Sequence, residues 1–394
     1  MSKFVKQVAV RATYMRGGTS KGVFFTPEDM PEATRVPGAP RDAFLRRVIG
    51  SPDPYGKQID GMGAATSSTS KTVIVSKSTR PDCDVDYLFG QVAIDGPLVD
   101  WGGNCGNLTS AVGPFAITRG LVKAPRDGEA TVRIWQANIQ KRIIAHVPMQ
   151  DGEVVELGDF ELDGVTFPAA EVKLEFLDPG ADDEEGAGGA MFPTGRVSDK
   201  LDIPGVGEVE MTLINAGNPT IFMDAARLDL TGTETQEQVN GNAALLKTLE
   251  TIRCHATVKM GLAATPEEAH EKRQHVPKIA FAAKPVGYQV SSGKTLKAGD
   301  VDIIVRIISM GKMHHAMTGT GAVAIATASA IPGTILRRIL GETKRERVRF
   351  GHTAGVLSVG AEAEQVGGEW KVTKALMSRS ARRLMDGVVL IPGG

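Results

Sequence analysis

Most apolar runs in the chain have a period of two. "KQVAVRATYM", "KTVIVSKS", "DVDYLFGQVAI", "ATVRIWQANI" and "KRIIAHVPM" alternate, or fill with β-branched residues, between turn signals, which predicts strands. Helical spacing is rarer and predicts helices over Arg41–Ile49, Leu108–Thr118, Gln238–Ile252, Pro266–Gln274 and Ala322–Leu340. Between Asp178 and Gly195, "DPGADDEEGAGGAMFPTG" is acidic, Gly-rich and aperiodic, the composition of a domain boundary or a mobile loop.

The two sides of that stretch resemble each other. "NCGNLTSAVGPFAITRGL" precedes the strand-pair pattern "VRIWQANIQKRIIAHV", and "MTGTGAVAIATASAIPGTI" precedes "VRFGHTAGVLSVGAEA". Cys105-Gly-Asn then falls on Thr318-Gly-Thr, each opening a helix of small residues. The matched order predicts a duplicated chain whose halves, 1–190 and 191–394, each mix strands and helices, with the last residues free to return to the first half. Two Gly-turn helix starts facing one cleft would converge their positive ends on a small anion, most naturally a di- or tricarboxylate.

Composition narrows the picture. A chain of 394 residues has room for two domains and an ample core. Lys+Arg 45 against Asp+Glu 46 leaves a net charge of -1, so no global field draws nucleic acid or an acidic membrane. Cys83, Cys105 and Cys254 are odd in number and far apart, which suggests reduced thiols rather than a disulfide frame. "MSKFVKQVAVRATYM" carries charges inside its apolar run, unlike a signal peptide, and "GAVAIATASAIPG" is too short to span a bilayer. A soluble, cytoplasmic protein is expected.

Several stretches carry candidate chemistry. In "WGGNCGNLTSAVGPFAI", Cys105 sits at a helix start, where unpaired N–H groups favour anions and a thiolate; the alternative is a small buried hydrophobe. "MRGGTSKGVFF" lacks the Walker spacing, and "GTGAVA" is only a fragment of a dinucleotide fingerprint. Gly17, Gly18, Thr19 and Ser20 read either as a nest of donors for a carboxylate or as a plain turn between strands. In "GMGAATSSTSKTVIV", Lys71 enters an apolar strand; it is either solvated at the strand end or buried, and burial makes a lysine a base near neutral pH. Asn218 in "NAGNPTIFMDA" is a candidate substrate donor. His314 and His315 of "GKMHHAMTGTG", read as strand neighbours, point to opposite faces, so at most one reaches a cleft. Arg379 in "RSARRLM" belongs either to a surface face or to a substrate clamp. No zinc-type spacing is present, so no metal or other cofactor is expected.

Together "MRGGTSKGVFF", "DGMGAATSSTSK", "GGNCGN", "AGNPTIF" and "MTGTGA", in this order from Met15 to about Gly321, resemble the PrpF branch of the diaminopimelate-epimerase-like superfamily. The resemblance implies an α+β fold of two epimerase-like domains, each a β-sheet wrapped around a central helix, with the active site in the interdomain cleft. It implies cofactor-independent isomerisation of an unsaturated di- or tricarboxylate, above all 2-methylaconitate of the methylcitrate cycle, or of an oxalomesaconate or methylitaconate type of substrate. A non-catalytic accessory carboxylate-binding protein is the other reading. Epimerases of the superfamily pair a cysteine from each half. Here the second position is Thr318, which argues against that route, and the resemblance pairs Cys105 with Lys71 as acid and base. The substrate contacts it implies are Arg16, Gly18, Thr19, Ser20, Ser67, Asn104, Gly106, Asn107, Asn218, Met317, Thr318, Gly319, Thr320 and Gly321. A functional pairing with an aconitase-like dehydratase and a monomeric or homodimeric state complete these expectations.

Overall fold

The computed structural model describes residues 6–179, 190–341, 347–367 and 369–392; residues 180–189, most of the acidic stretch, lie outside them. The alternating runs form strands of one continuous sheet. Gln7–Gly17 and Ser20–Phe25 make a hairpin with Gly17 opposite Ser20. Lys71–Lys77 joins the second strand of that hairpin in parallel, and Val85–Val92 returns antiparallel with Gln91 opposite Lys71. A buried helix follows. The same order then recurs: a hairpin of Gly207–Ala216 and Asn218–Asp224, a parallel strand Lys278–Ala283, an antiparallel Ile303–Ser309, and a second buried helix. Each series also has a later antiparallel pair, Gly128–Gln136 with Lys141–Gln150, and Arg347–His352 with Gly355–Val366.

The α-helices are α1 (Ala39–Ile49), α2 (Gly106–Thr118), α3 (Gln236–Asn240), α4 (Ala243–Lys259), α5 (Pro266–Lys272), α6 (Gly319–Ala330) and α7 (Ile335–Leu340). Two expected helices are each broken in two. The run from Gln238 divides at Gly241, because Asn242 caps α4 by accepting from the Leu245 N–H at 3.0 Å. The run from Ala322 divides at Pro332 and Gly333, the latter at φ +87. Beyond them, the Thr334 hydroxyl donates to the Ala328 carbonyl at 2.6 Å and caps α7 through the Arg337 N–H. Every residue from Gly106 to Ala116 and from Gly319 to Ser329 is buried. Small side chains all round a helix let sheet close in on every face, as a fully buried helix requires. Phe24, Val73, Tyr87 and Phe115 pack in the same core as α2.

The C-terminal strand Glu369–Pro392 pairs with Gly355–Val366, with Glu171–Leu177 and with Gln7–Gly17, so it runs from the second series of strands into the first. α2 and α6 meet N-terminus to N-terminus through glycines. A Cβ on Gly106 would lie 2.7 Å from the Gly319 carbonyl carbon, and one on Gly319 would collide with the backbone of Gly106 and Asn107. Backbone is the obstacle, and it cannot rotate aside. Gly319→Ala is therefore expected to destabilise the fold by about 1–3 kcal/mol through overpacking. Gly299→Ala, where nothing lies within 4 Å, should stay within about 0.5 kcal/mol. Coincident denaturant midpoints for the two variants would refute the contact between helix ends.

Candidate active site

Where the two helix starts meet lies a cavity of about 10 Å³, room for roughly one water molecule. Ser20, Ser67, Lys71, Asn104, Cys105, Gly106 and Asn107 of the first series line it together with His275, Lys278, Ser309, His314, Thr318, Gly319 and Thr320 of the second. Lys71 opens its strand and is 5% exposed. Its Nζ donates to Gln91 Oε1 at 2.6 Å and stands 5.0 Å from the Phe89 ring centre. The Gln91 amide is fixed by donating from Nε2 to the Ser70 carbonyl at 3.0 Å. Burial lowers the Lys71 pKa below that of an ordinary lysine, while the neighbouring Cys105 sulfur pulls it the other way.

Cys105 and Thr318 are the N-caps of α2 and α6. The Cys105 sulfur accepts from the Leu108 N–H at 3.5 Å, and Thr318 Oγ1 accepts from the Gly321 N–H at 3.1 Å. Each cap thus covers the third N–H of its helix, while those of Gly106, Asn107, Gly319 and Thr320 have no acceptor within the helix. Asn104 is fully buried and its Nδ2 has no hydrogen-bond partner. Among the described residues, no aspartate or glutamate lines the cavity. Donors and cations therefore outnumber acceptors, an electrostatic match for a carboxylate ligand.

Sequence reasoning missed Lys278, His275 and Asp100. The signal was present: "HVPKIAFAA" carries a lysine into an apolar strand just as "SKTVIV" does. Lys278 Nζ donates to Ser309 Oγ at 3.2 Å, to the His275 carbonyl at 3.1 Å and to His275 Nδ1 at 3.4 Å. Burial pushes the Lys278 ammonium down to about 7; the Lys71 charge adds to that push and Cys105 opposes it. Burial and the two lysines also hold His275 well below the usual histidine range. Its Nδ1 accepts from Lys278, so the network places the proton on Nε2, 3.3 Å from the Asn104 carbonyl. Asp100, raised by burial, anchors this turn by accepting from the His275 N–H at 2.9 Å and the Gly102 N–H at 2.8 Å.

Other expected contacts are placed differently. Gly17–Ser20 is a plain turn rather than a carboxylate nest, because the Gly18 N–H donates to the Ser380 carbonyl at 2.8 Å. Of these four residues only Ser20 lines the cavity; Arg16, Gly18 and Thr19 line a separate pocket of about 760 Å³. Arg16 donates to the carbonyls of Gly18 and Ser380 at 3.0 and 2.9 Å. Met317 offers its carbonyl to Asn107 Nδ2 at 3.1 Å, and the Gly321 N–H is taken by Thr318. Asn218 is not among the lining residues: its Oδ1 accepts from the Asn104 N–H at 2.7 Å and its Nδ2 donates to the Asn104 carbonyl at 2.9 Å. It fixes the residue that does line the cavity. Arg379 is buried behind Asn107, donating to its Oδ1 at 2.9 Å, so it belongs to neither a surface face nor the cavity wall.

His314 and His315 do not point to opposite faces. Their strand ends at Met313, so alternation no longer applies, and the rings stack at 4.7 Å with both within reach of Ser68. His314 Nδ1 accepts from the Ala316 N–H, which places its proton on Nε2, toward Ser68 Oγ at 2.9 Å. His314 lines the cavity, and His315 lines the two wider pockets beside it.

The family described as PrpF protein matches residues 7–392. Over 392 residues the chain is 64% identical to a 2-methyl-aconitate isomerase of Cupriavidus necator, an alignment covering 99% of this chain and 98% of that one. The crystal structure of a methylitaconate-delta-isomerase superposes with a TM-score of 0.76 at 40% identity, over 98% of this chain and 96% of that one. A probable proline racemase from Agrobacterium radiobacter K84 is 12% identical with a TM-score of 0.54, over 96% of this chain and 92% of that one, a likeness of fold alone. The α+β, epimerase-like architecture expected from the sequence is thus the one observed. Matched from its first strand to its last, the chain belongs to the PrpF family.

Proposed function

We propose that the chain is a cofactor-independent isomerase of unsaturated tricarboxylates, with 2-methylaconitate as its substrate. The observation that carries this reading is the cavity itself: two buried lysines, a thiol and two helix N-termini, with no carboxylate in its wall among the described residues. A polycarboxylate supplies the missing negative charge. The 64% identity to a 2-methyl-aconitate isomerase favours that substrate. An aconitase-like dehydratase is the expected source of such an alkene.

In this mechanism neutral Lys71 removes a carbon-bound proton, and the electron pair delocalises toward a carboxylate. The first-turn N–H groups of α2 and α6 and the Asn104 amide stabilise the developing charge without reorganising. The former double bond then rotates, and a proton returned to carbon by Lys71 or Cys105 completes the isomer. Positioned acid–base groups contribute about 10²–10⁴-fold, so charge stabilisation supplies much of the rest. A pocket of about 540 Å³ shares Ser67, Ser309 and His314 with the cavity and is the natural entrance. Because a tricarboxylate exceeds the cavity, its admission requires the two helix ends to separate.

The purified protein should interconvert the cis and trans forms of 2-methylaconitate and exchange a carbon-bound hydrogen in D₂O. Absence of both, across 2-methylaconitate and trans-aconitate, would sink the reading. Lys71→Ala should lower kcat by at least about 10²-fold with native circular dichroism. Cys105→Ser keeps the size but replaces a thiol by a far weaker acid, and if Cys105 transfers a proton the loss should also reach about 10²-fold. Unchanged rates in either variant would remove that residue from the chemistry. Activity should rise with pH as the Lys71 ammonium deprotonates. Because burial lowers that pKa, the rise belongs below the pH of about 10.4 at which an exposed lysine titrates. A rise confined to higher pH would contradict Lys71 as the base.

A further inference from the structure

We propose that Lys278 is a second acid–base group of this reaction, acting in the same cavity as Lys71; the proposal rests on the isomerase reading above. The two lysines are equivalent by topology. Lys71 opens the strand parallel to the second strand of the first hairpin, and Lys278 opens the strand parallel to the second strand of the second hairpin. Each donates to a residue of the antiparallel strand beside it, Lys71 to Gln91 and Lys278 to Ser309. Both line the same cavity.

What surrounds Lys278 does not explain it as a structural residue. It is 2% exposed, yet its hydrogen bonds go to neutral acceptors; Asp100 acts on it, but among the described residues no carboxylate forms a direct ion pair with it. The charged and titratable groups that act on it are Lys71, Cys105, Asp100 and Arg253, with His275 in direct contact. The cap of the second helix is Thr318, whose hydroxyl does not exchange a proton with carbon near neutral pH. Thus the first half contributes a thiol and a lysine, and the second a lysine with His275 and His314, two imidazoles that burial holds well below the usual histidine range.

The step balances as follows. Lys71 amine takes the proton as the substrate C–H bond breaks, and the pair of electrons remains on the delocalised anion. After rotation the Lys278 ammonium gives a proton to carbon, forming the new C–H bond and leaving a neutral amine. One proton then passes from Lys71 to Lys278 through solvent to restore the starting states.

The test uses the full-length protein. Lys278→Met removes the charge and nearly keeps the length, a change that buried sites commonly tolerate. The kcat for isomerisation of 2-methylaconitate should fall at least about 100-fold. Deuterium uptake into unreacted substrate in D₂O, driven by Lys71, should persist. Lys278→Arg keeps the charge but holds its proton, and should be equally slow; full activity in that variant would assign Lys278 a charge role and overturn the proposal, even if the Met variant does not fold. Unchanged kcat in Lys278→Met, or a raised KM at unchanged kcat, would overturn it likewise. An inactive wild type would instead condemn the isomerase reading itself.

Discussion

Everything at this site depends on two helix N-termini held against each other. Each carries roughly half a positive charge from its aligned peptide dipoles, so the approach of α2 to α6 is electrostatically unfavourable when nothing negative lies between them. Gly106 and Gly319 make the approach sterically feasible, and burial of both helices on all faces holds it in place. The molecule thus maintains a concentrated positive potential in a water-poor place. An anion relieves that repulsion, and an anion that grows during a reaction relieves it further.

The reacting groups are supplied around this potential by different kinds of local structure. Caps provide Cys105 and Thr318, each aimed by the turn that starts its helix. Strand starts provide Lys71 and Lys278, set where the ladder begins and the side chain faces inward. A layer behind them then limits movement: Gln91 holds Lys71, Asn218 clamps the backbone of Asn104, and Arg379 braces Asn107. Such constraint converts a collection of polar residues into fixed donors, which is what makes electrostatic stabilisation effective.

The parts of this arrangement that were legible in the sequence are those encoded locally. A cap and its helix lie within a few residues, so Cys105 and Thr318 could be matched by their surrounding glycines, and α2 and α6 could be located by their small residues. Lys71 was legible as a charge entering an apolar run. Lys278 follows the same local rule, but its meaning comes from a partner more than two hundred residues away, and only the topology brings the two together. The histidine pair misled because period-two alternation was extended two residues beyond the strand that produces it. Asn218 and the Gly17–Ser20 turn carry the polarity of ligand contacts, yet backbone groups distant in sequence claim their hydrogen bonds.

The C-terminal strand has a consequence for how the chain comes into being. Gln7–Gly17 finds one of its two neighbouring strands only in Glu369–Pro392, beyond the whole second series of strands, where Gln7 lies opposite Pro392. During translation one edge of that strand stays open, and an open edge invites pairing with other chains. The first half can gather around α2 early, but its sheet closes only once Glu369–Pro392 has emerged from the ribosome. Contacts of such long sequence separation also slow folding, because chain entropy must be surrendered before the pairing rewards it. Closure of the first sheet therefore waits on the second half, and the interval between emergence of Gln7–Gly17 and of Glu369–Pro392 is when its open edge is most vulnerable.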